Sequence, residues 1–360
     1  MKIWTDALSL DGQEETSEYQ ALGPGAFLLD IETTGFSAKF CSIYLIGCAV
    51  RRDRQLLLTQ FFAETPAQEP AILAAFADYL SGKNSIVTFN GQAFDLPFLE
   101  SRARRSGVNL PLRQLISIDL YRTARKYRAI LHLPSYKQES VEKALHIDRK
   151  DKYSGGQLID VYQDYCQNRA SESESLLALH NHDDIFNMYP LLGLLSYEKL
   201  REAKVSLTDI QSNDRKMILS ARLNLTLPAI ARVQSESVDM ILEKNQLHAS
   251  IPLRRTRMRY ELDHPADYYY LPEEDMVIPK VLASSIDSSR LKKATRQNCC
   301  VKKEGLFFPI DDFVIKPEGL PVFREHPQSR QIYLEFPETK SEEFIQRHLE
   351  SILHSIESYK

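Results

Sequence analysis

The sequence predicts a mixed α/β domain followed by a smaller β-rich domain that closes on a helix. Three observations carry this. Short apolar runs alternate with helix-period segments up to about residue 203, the texture then changes to alternating, β-branched and aromatic runs, and the last segment, "SEEFIQRHLESILHSIESY", carries an apolar stripe at helical spacing. With 360 residues the chain is long enough for two cores of ordinary size.

The elements read off in order. Residues 27–31 (FLLDI), 42–51 and 55–62 are strand-like, and the latter two are joined by a short charged turn, "RDR", suited to a hairpin. "PAQEPAILAAFADYLSGKN" places Ile72, Leu73, Phe76, Tyr79 and Leu80 at helical spacing before Gly82. "SIVTF" is a buried strand. "FDLPFLESRARRSG" is a helix with Pro97 in its first turn and Gly107 past its end. "LISID" is a further strand, and Asp119 can cap the helix "LYRTARKYRAIL". Helical segments follow at about 139–146, 157–169 and 174–199. A hairpin inside a sheet flanked by helices implies a mixed sheet rather than a uniformly parallel one. "VSLTDIQSNDRK" reads as the linker, so the expected domains are 1–203 and 204–360. The apolar stripe of the last helix (Phe344, Ile345, Leu349, Ile352, Leu353, Ile356) is expected to pack on its own sheet.

Hydrophobic residues make up 43% and charged residues 26%, with a net charge of −4, the profile of a soluble globular chain. Nucleic-acid binding would therefore have to come from local patches rather than bulk charge. The five cysteines are scattered and include the vicinal pair Cys299/Cys300, which is neither a disulfide framework nor a zinc-knuckle spacing. A reduced, cytoplasmic protein without signal peptide or membrane span is the expectation.

Residues i and i+2 of a strand share a face, so Asp30 and Glu32 at the end of FLLDI can aim both carboxylates at one point. The pair is followed by Thr33, Thr34 and Gly35, where hydroxyls and an unsubstituted backbone could approach a ligand. Asp95 lies in "TFNGQAFDLPF", where a second strand gives way to a helix, and open sheets place ligands at such strand ends. In "LLALHNHDDIFNMYPLL", His180 and Asp184 are four apart and share a helix face. His182 and Asp183 are rotated away from it and read as outer or solvent-facing.

In this order, D-x-E, N-G-x-x-F-D and H-N-x-x-D resemble the DEDD superfamily of exonucleases on an RNase H-like fold. More closely, the chain is similar to the YprB-type RNase H-like family. "IDLYRTARKY", "LPSYKQESVEKALHI" and "YSGGQLIDVYQDY" extend the likeness over about residues 25–200. The resemblance implies that Asp30, Glu32, Asp95 and Asp184 bind two divalent cations, with His180 as general base or water-orienting residue. Its histidine stands at the spacing where the superfamily more often has a tyrosine. Four crowded carboxylates repel unless cations neutralise them, and oxygen ligands favour Mg²⁺ or Mn²⁺.

The implied activity is 3′-to-5′ phosphodiester hydrolysis at a free 3′ end. Single-stranded DNA in a repair context, beside a helicase, is favoured over RNA by family association alone. An RNA 3′-end trimming nuclease and a non-catalytic nucleic-acid or helicase adaptor stay open. Candidate contacts to the nucleic acid are Thr33, Thr34, Gly35, Asn90 and Phe94, together with Arg255, Arg257 and Arg259, which alternate along one strand. Turn chemistry competes for Asn90 and core packing for Phe94.

Overall fold

The computed structural model describes residues 1–10, 17–314, 320–336 and 342–359. It divides into two compact units, one of residues 1–128 and 132–198, the other of 129–131 and 199–360.

The first unit is built on a six-stranded mixed sheet. Its strands are β1 (Lys2–Ser9), β2 (Ala26–Thr33), β3 (Ile43–Arg52), β4 (Gln55–Phe62), β5 (Ser85–Thr88) and β6 (Ile116–Asp119), in the order β1-β4-β3-β2-β5-β6. β2, β5 and β6 run parallel, while β1, β4 and β3 make the antiparallel half with β2. The hairpin turn between β3 and β4 puts Asp53 at positive φ, as a tight two-residue connection requires. β1 has no counterpart in the sequence reading. It is an edge strand whose side chains are mostly exposed, so its apolar pattern is weak, and it is held by backbone pairing to β4.

The α-helices up to residue 191 are α1 (Glu69–Tyr79), α2 (Asp95–Ser106), α3 (Leu120–Lys126), α4 (Arg128–Leu131), α5 (Gln138–Ala144), α6 (Gly155–Asn168) and α7 (Ser171–Leu191), of which α4 falls almost wholly to the second unit. Gly107 and Gly82 stop α2 and the α1 segment at positive φ, where a Cβ would strain the backbone. The expected helix 120–131 breaks at Tyr127 into α3 and α4.

Strand periodicity decides where the acidic residues point. Phe27, Leu29 and Ile31 of β2 pack into a core with Ile72, Leu73 and Phe76 of α1 and with Phe98 and Leu99 of α2. Leu28, Asp30 and Glu32 therefore emerge on the other face, the one α7 covers. On that side Tyr44, Leu45 and Phe62 pack with Tyr162, Tyr165 and Leu177 of α6 and α7.

The second unit contains strands β7 (Val205–Ser212), β8 (Lys216–Leu223), β9 (Ala231–Gln234), β10 (Asp239–Glu243), β11 (Gln246–Pro252), β12 (Arg254–Glu261), β13 (Tyr268–Leu271), β14 (Met276–Pro279), β15 (Lys292–Lys293), β16 (Cys300–Ile310) and β17 (Ile332–Glu335), and helix α8 (Glu342–His354). They form one five-stranded and two three-stranded sheets. The linker expectation is corrected here. "VSLTDIQSNDRK" holds β7 and the turn into β8, where the Asn213 side chain accepts from the N–H groups of Arg215 and Lys216. Its polar residues mark an exposed strand, with Val205 buried, rather than a connector. Ile345, Leu349, Ile352 and Leu353 of α8 are buried and the helix packs on β7, while Ser341, the first residue of that predicted segment, lies outside the described residues. No helix among the described residues is long and apolar enough to cross a membrane.

Candidate active site

The four expected carboxylates and His180 reach a single cavity of about 560 Å³, which Glu139 also lines. Asp30 and Glu32 come from β2, Asp95 from the first turn of α2, and His180 and Asp184 from consecutive turns of α7. One ligand atom from each of Glu32, His180 and Asp184 lies within 4.8 Å of the others. His180 Nε2 is 3.2 Å from Asp184 Oδ2 and 3.6 Å from Glu32 Oε1.

Asp30, Asp95 and Asp184 are each aimed by a second group. Asn181 on α7 donates from Nδ2 to Asp30 Oδ2 at 2.7 Å, and its own Oδ1 accepts from Gln60 Nε2 at 2.9 Å. Asp95 Oδ1 accepts from the Ile31 N–H at 3.1 Å, tying the start of α2 to the ligand strand. Arg149 donates to Asp184 and holds the buried Glu142 through two bonds of 2.9 Å. Asp119 caps α3 as expected, accepting from Tyr121 N–H at 3.1 Å. It also accepts from the N–H groups of Asn90 and Gln92, which fixes the turn before Asp95. Asn90 sits in that turn at φ +66°, a conformation asparagine tolerates better than most residues.

Close approach of α7 to β3 depends on Gly47, which pairs with Asp30 across the sheet. A Cβ there would lie 2.0 Å from Asn181 Oδ1 and 2.5 Å from Ile185 Cδ1, both in the buried body of α7. Gly47→Ala should therefore push Asn181 off Asp30 and cost about 1–3 kcal/mol of stability. A urea midpoint that does not fall would contradict this packing.

The electrostatics are those of a site short of positive charge. Burial, then Asp184, Glu32 and Asp95, hold the Asp30 carboxyl well above the usual range, although the Asn181 hydrogen bond opposes them. Burial raises Glu32 to about 8 against the opposing pull of His180, and Asp95 to about 7 against its backbone hydrogen bonds. Burial also raises Asp184, with His180 and Arg149 working the other way. Burial alone would lower His180, but Glu32, Asp184 and Asp151 together outweigh it and hold the ring above its ordinary value. Buried oxygen donors that resist ionisation, with an imidazole beside them, suit a divalent cation, so the residues present fit that group.

The other candidates are placed as follows. Phe94 and Asn90 line the same cavity. Thr33 and Thr34 use their hydroxyls within their own loop, Thr33 donating to the Gly35 carbonyl and Thr34 accepting from Ser42 N–H. A Cβ on Gly35, at φ +153°, would meet Cys41 Sγ at 2.7 Å. Arg255, Arg257 and Arg259 lie on β12 in the second unit, where Arg255 pairs with Asp214 and Arg259 with Glu261. Arg102, from the basic run after Asp95, is bound to the buried Glu69.

Sequence reasoning missed Asp151, Arg149, Glu142 and Asn181. Asn181 was within reach, since it adjoins His180 on a helix whose neighbouring arc faces β2 and β3. Arg149 and Asp151 lie in the irregular stretch after α5, where periodicity offers no signal, and Glu142 lies within α5 itself. Of the two places read for Asp183, outer or solvent-facing, the structure gives the outer one, and the side chain is buried there behind the site. Its Oδ2 accepts from the N–H groups of Lys150 and Asp151 at 2.9 and 2.8 Å.

A family model described as the RNase_H superfamily matches residues 27–196. A curated relative, a DNA polymerase of Pyrococcus glycovorans, is 26% identical over an alignment of 124 residues that covers 28% of this chain and 16% of the polymerase. Among solved structures, the family B DNA polymerase of Pyrobaculum calidifontis is similar at TM-score 0.37 and 12% identity, covering 71% of this chain and 39% of that one. Exonuclease I of E. coli, in complex with a dT13 oligonucleotide, is similar at TM-score 0.28 and 14% identity, covering 61% and 55%. The chain thus spans little of the curated relative and about half or less of these two structures. The mixed sheet with its helical layers, together with the family match over residues 27–196, makes the first unit an RNase H-like α/β domain.

Proposed function

We propose that this chain is a metal-dependent 3′-to-5′ exonuclease of the YprB type, acting on single-stranded DNA in a repair context. The observation that carries the reading is the convergence of Asp30, Glu32, Asp95 and Asp184 with His180 at one cavity. A structural role would not need four acidic groups held at such electrostatic cost. The match to a DNA polymerase supports DNA over RNA.

The four carboxylates would hold two divalent cations, which supply charge neutralisation of the phosphodiester and acidify bound water. His180 Nε2 would accept the proton of the attacking water, and Asp184 and Glu32, within 4 Å of that atom, would stabilise the resulting imidazolium. A new P–O bond then forms from the water oxygen as the P–O3′ bond breaks, releasing a mononucleotide. Asn181 and Arg149 keep Asp30 and Asp184 in place throughout. Phe94 on the cavity wall offers an apolar face to a terminal base.

The test is digestion of 5′-labelled single-stranded DNA and RNA by the full chain with Mg²⁺ or Mn²⁺, alongside Asp30→Ala. The expected result is a ladder shortening from the 3′ end of DNA, lost in the variant by roughly 10³-fold, equivalent to ~4 kcal/mol of transition-state stabilisation. RNA-only cleavage would replace the reading with 3′-end trimming of RNA. Absence of cleavage on any strand would favour a binding adaptor, and an unaffected Asp30→Ala would refute the site.

A further inference from the structure

We propose that Asp151 is a positioning residue that fixes the tautomer and the aim of His180, so that the ring's Nε2 carries the lone pair presented to the Glu32 and Asp184 side of the cavity. The inference deepens the exonuclease reading and rests on it for its catalytic meaning, though not for its geometry.

Asp151 lies in the irregular stretch between α5 and α6, 29 residues before the histidine, and its side chain is wholly buried. Its Oδ2 is 2.5 Å from His180 Nδ1. An ionised carboxylate can only accept, so Nδ1 must carry the hydrogen. The neutral ring is then left with an unprotonated Nε2, the atom 3.2 Å from Asp184 Oδ2 and 3.6 Å from Glu32 Oε1. Histidine function commonly depends on such a partner at the far nitrogen.

The loop that brings Asp151 into place is gripped by the same helix. Asp183, three residues after His180, accepts from the N–H groups of both Lys150 and Asp151, and His182 Nδ1 meets its other oxygen at 3.0 Å. Asp151 Oδ1 accepts from Tyr153 N–H at 3.1 Å, which closes the turn. Helix α7 thus supplies the imidazole, and through Asp183 it also anchors the backbone that returns a carboxylate to that imidazole. A counter-ion serving only fold stability would need no such registration of one oxygen on one ring nitrogen. Arg149 Nη1, 3.9 Å from Asp151 Oδ2, is too distant to compete for that oxygen.

The experiment is long-range ¹H–¹⁵N spectroscopy of the metal-free full chain labelled with ¹⁵N-histidine, at a pH where the ring is neutral, with His180 assigned by the signal lost in His180→Gln. The Nδ1–H pattern is expected in the wild-type chain and conversion towards Nε2–H in Asp151→Ala. In parallel, kcat should fall about 10²-fold, with KM changing by less than about threefold. Should Asp151→Ala fail to fold, Asp151→Asn keeps the shape while offering either an N–H or a carbonyl, and a mixture of tautomers is expected. A wild-type ring that is Nε2–H when neutral overturns the proposal, as does an unchanged pattern in the variants. Because the spectrum needs no nuclease activity, failure of the exonuclease reading and failure of this one are separately visible.

Discussion

Replacing Glu32 with glutamine should raise the melting temperature of the metal-free protein at pH 8 while removing its nuclease activity. Glu32 is buried beside Asp184 and Asp95, and burial raises it to about 8 from an ordinary value near 4.5. Between those two values the unfolded chain has lost the proton that the folded chain keeps. Stability is therefore fully present below pH 4.5 and drains away as pH rises through about 8. Glutamine has no proton to lose, so the variant should escape a penalty on the order of a few kcal/mol. The opposing term is the attraction between Glu32 and His180 at 3.6 Å, which the substitution forfeits. Burial acts on Glu32 more strongly than that attraction, and His180 keeps Asp184 and Asp151 as partners.

Thermal unfolding in EDTA at pH 5 and pH 8 reads the effect directly, and the gap between variant and wild type should widen at the higher pH. Added Mg²⁺ or Mn²⁺ should stabilise the wild type more than the variant, because a cation that binds only the folded state adds its binding free energy to stability. A variant less stable than wild type at pH 8 in EDTA would mean that the Glu32–His180 attraction dominates and that the acidic cluster is not under strain.

Elements whose physics is local were legible from the sequence. Asp30 and Glu32 follow from the two-residue period of a strand, and His180 and Asp184 from the turn of a helix. Both inferences need only the spacing of two residues within one element, whatever packs against it. The groups that hold those residues in place were not legible. Asp151 and Arg149 act across 29 and 35 residues respectively, from a loop with no period, and Glu142 shows its role only once Arg149 is beside it. The N-terminal strand β1 escaped notice for the opposite reason. An edge strand joined to the sheet by backbone pairing has little need of an apolar stripe. The segment after residue 204 misled because "TDIQSNDRK" has the composition of a connector, yet an exposed hairpin has the same composition.

Arg149→Met should be among the most destabilising single changes in the first unit, and removing its partner as well should undo most of the damage. The guanidinium makes two bonds to Glu142, which is only 1% exposed, and a further bond to Asp184. Burial would weaken the charge on Arg149, but Glu142 and Asp184 outweigh it and keep the group protonated. Methionine preserves much of the volume and deletes the charge, stranding Glu142 in the interior. Breaking a buried pair from one side costs about 3–5 kcal/mol, a fall in melting temperature of roughly 10 °C for a unit of this size. Arg149→Met combined with Glu142→Leu removes the stranded Glu142 carboxylate, and Asp184 keeps His180 beside it, so the melting temperature should return most of the way to wild type. Activity should not return with it, because Asp184 has lost the donor that holds one of its oxygens. Calorimetry and digestion assays on the two variants therefore separate two roles of one side chain. If the double variant is no more stable than the single one, Glu142 is not the group that Arg149 neutralises. If the double variant is both stable and fully active, the bond to Asp184 has no part in the chemistry.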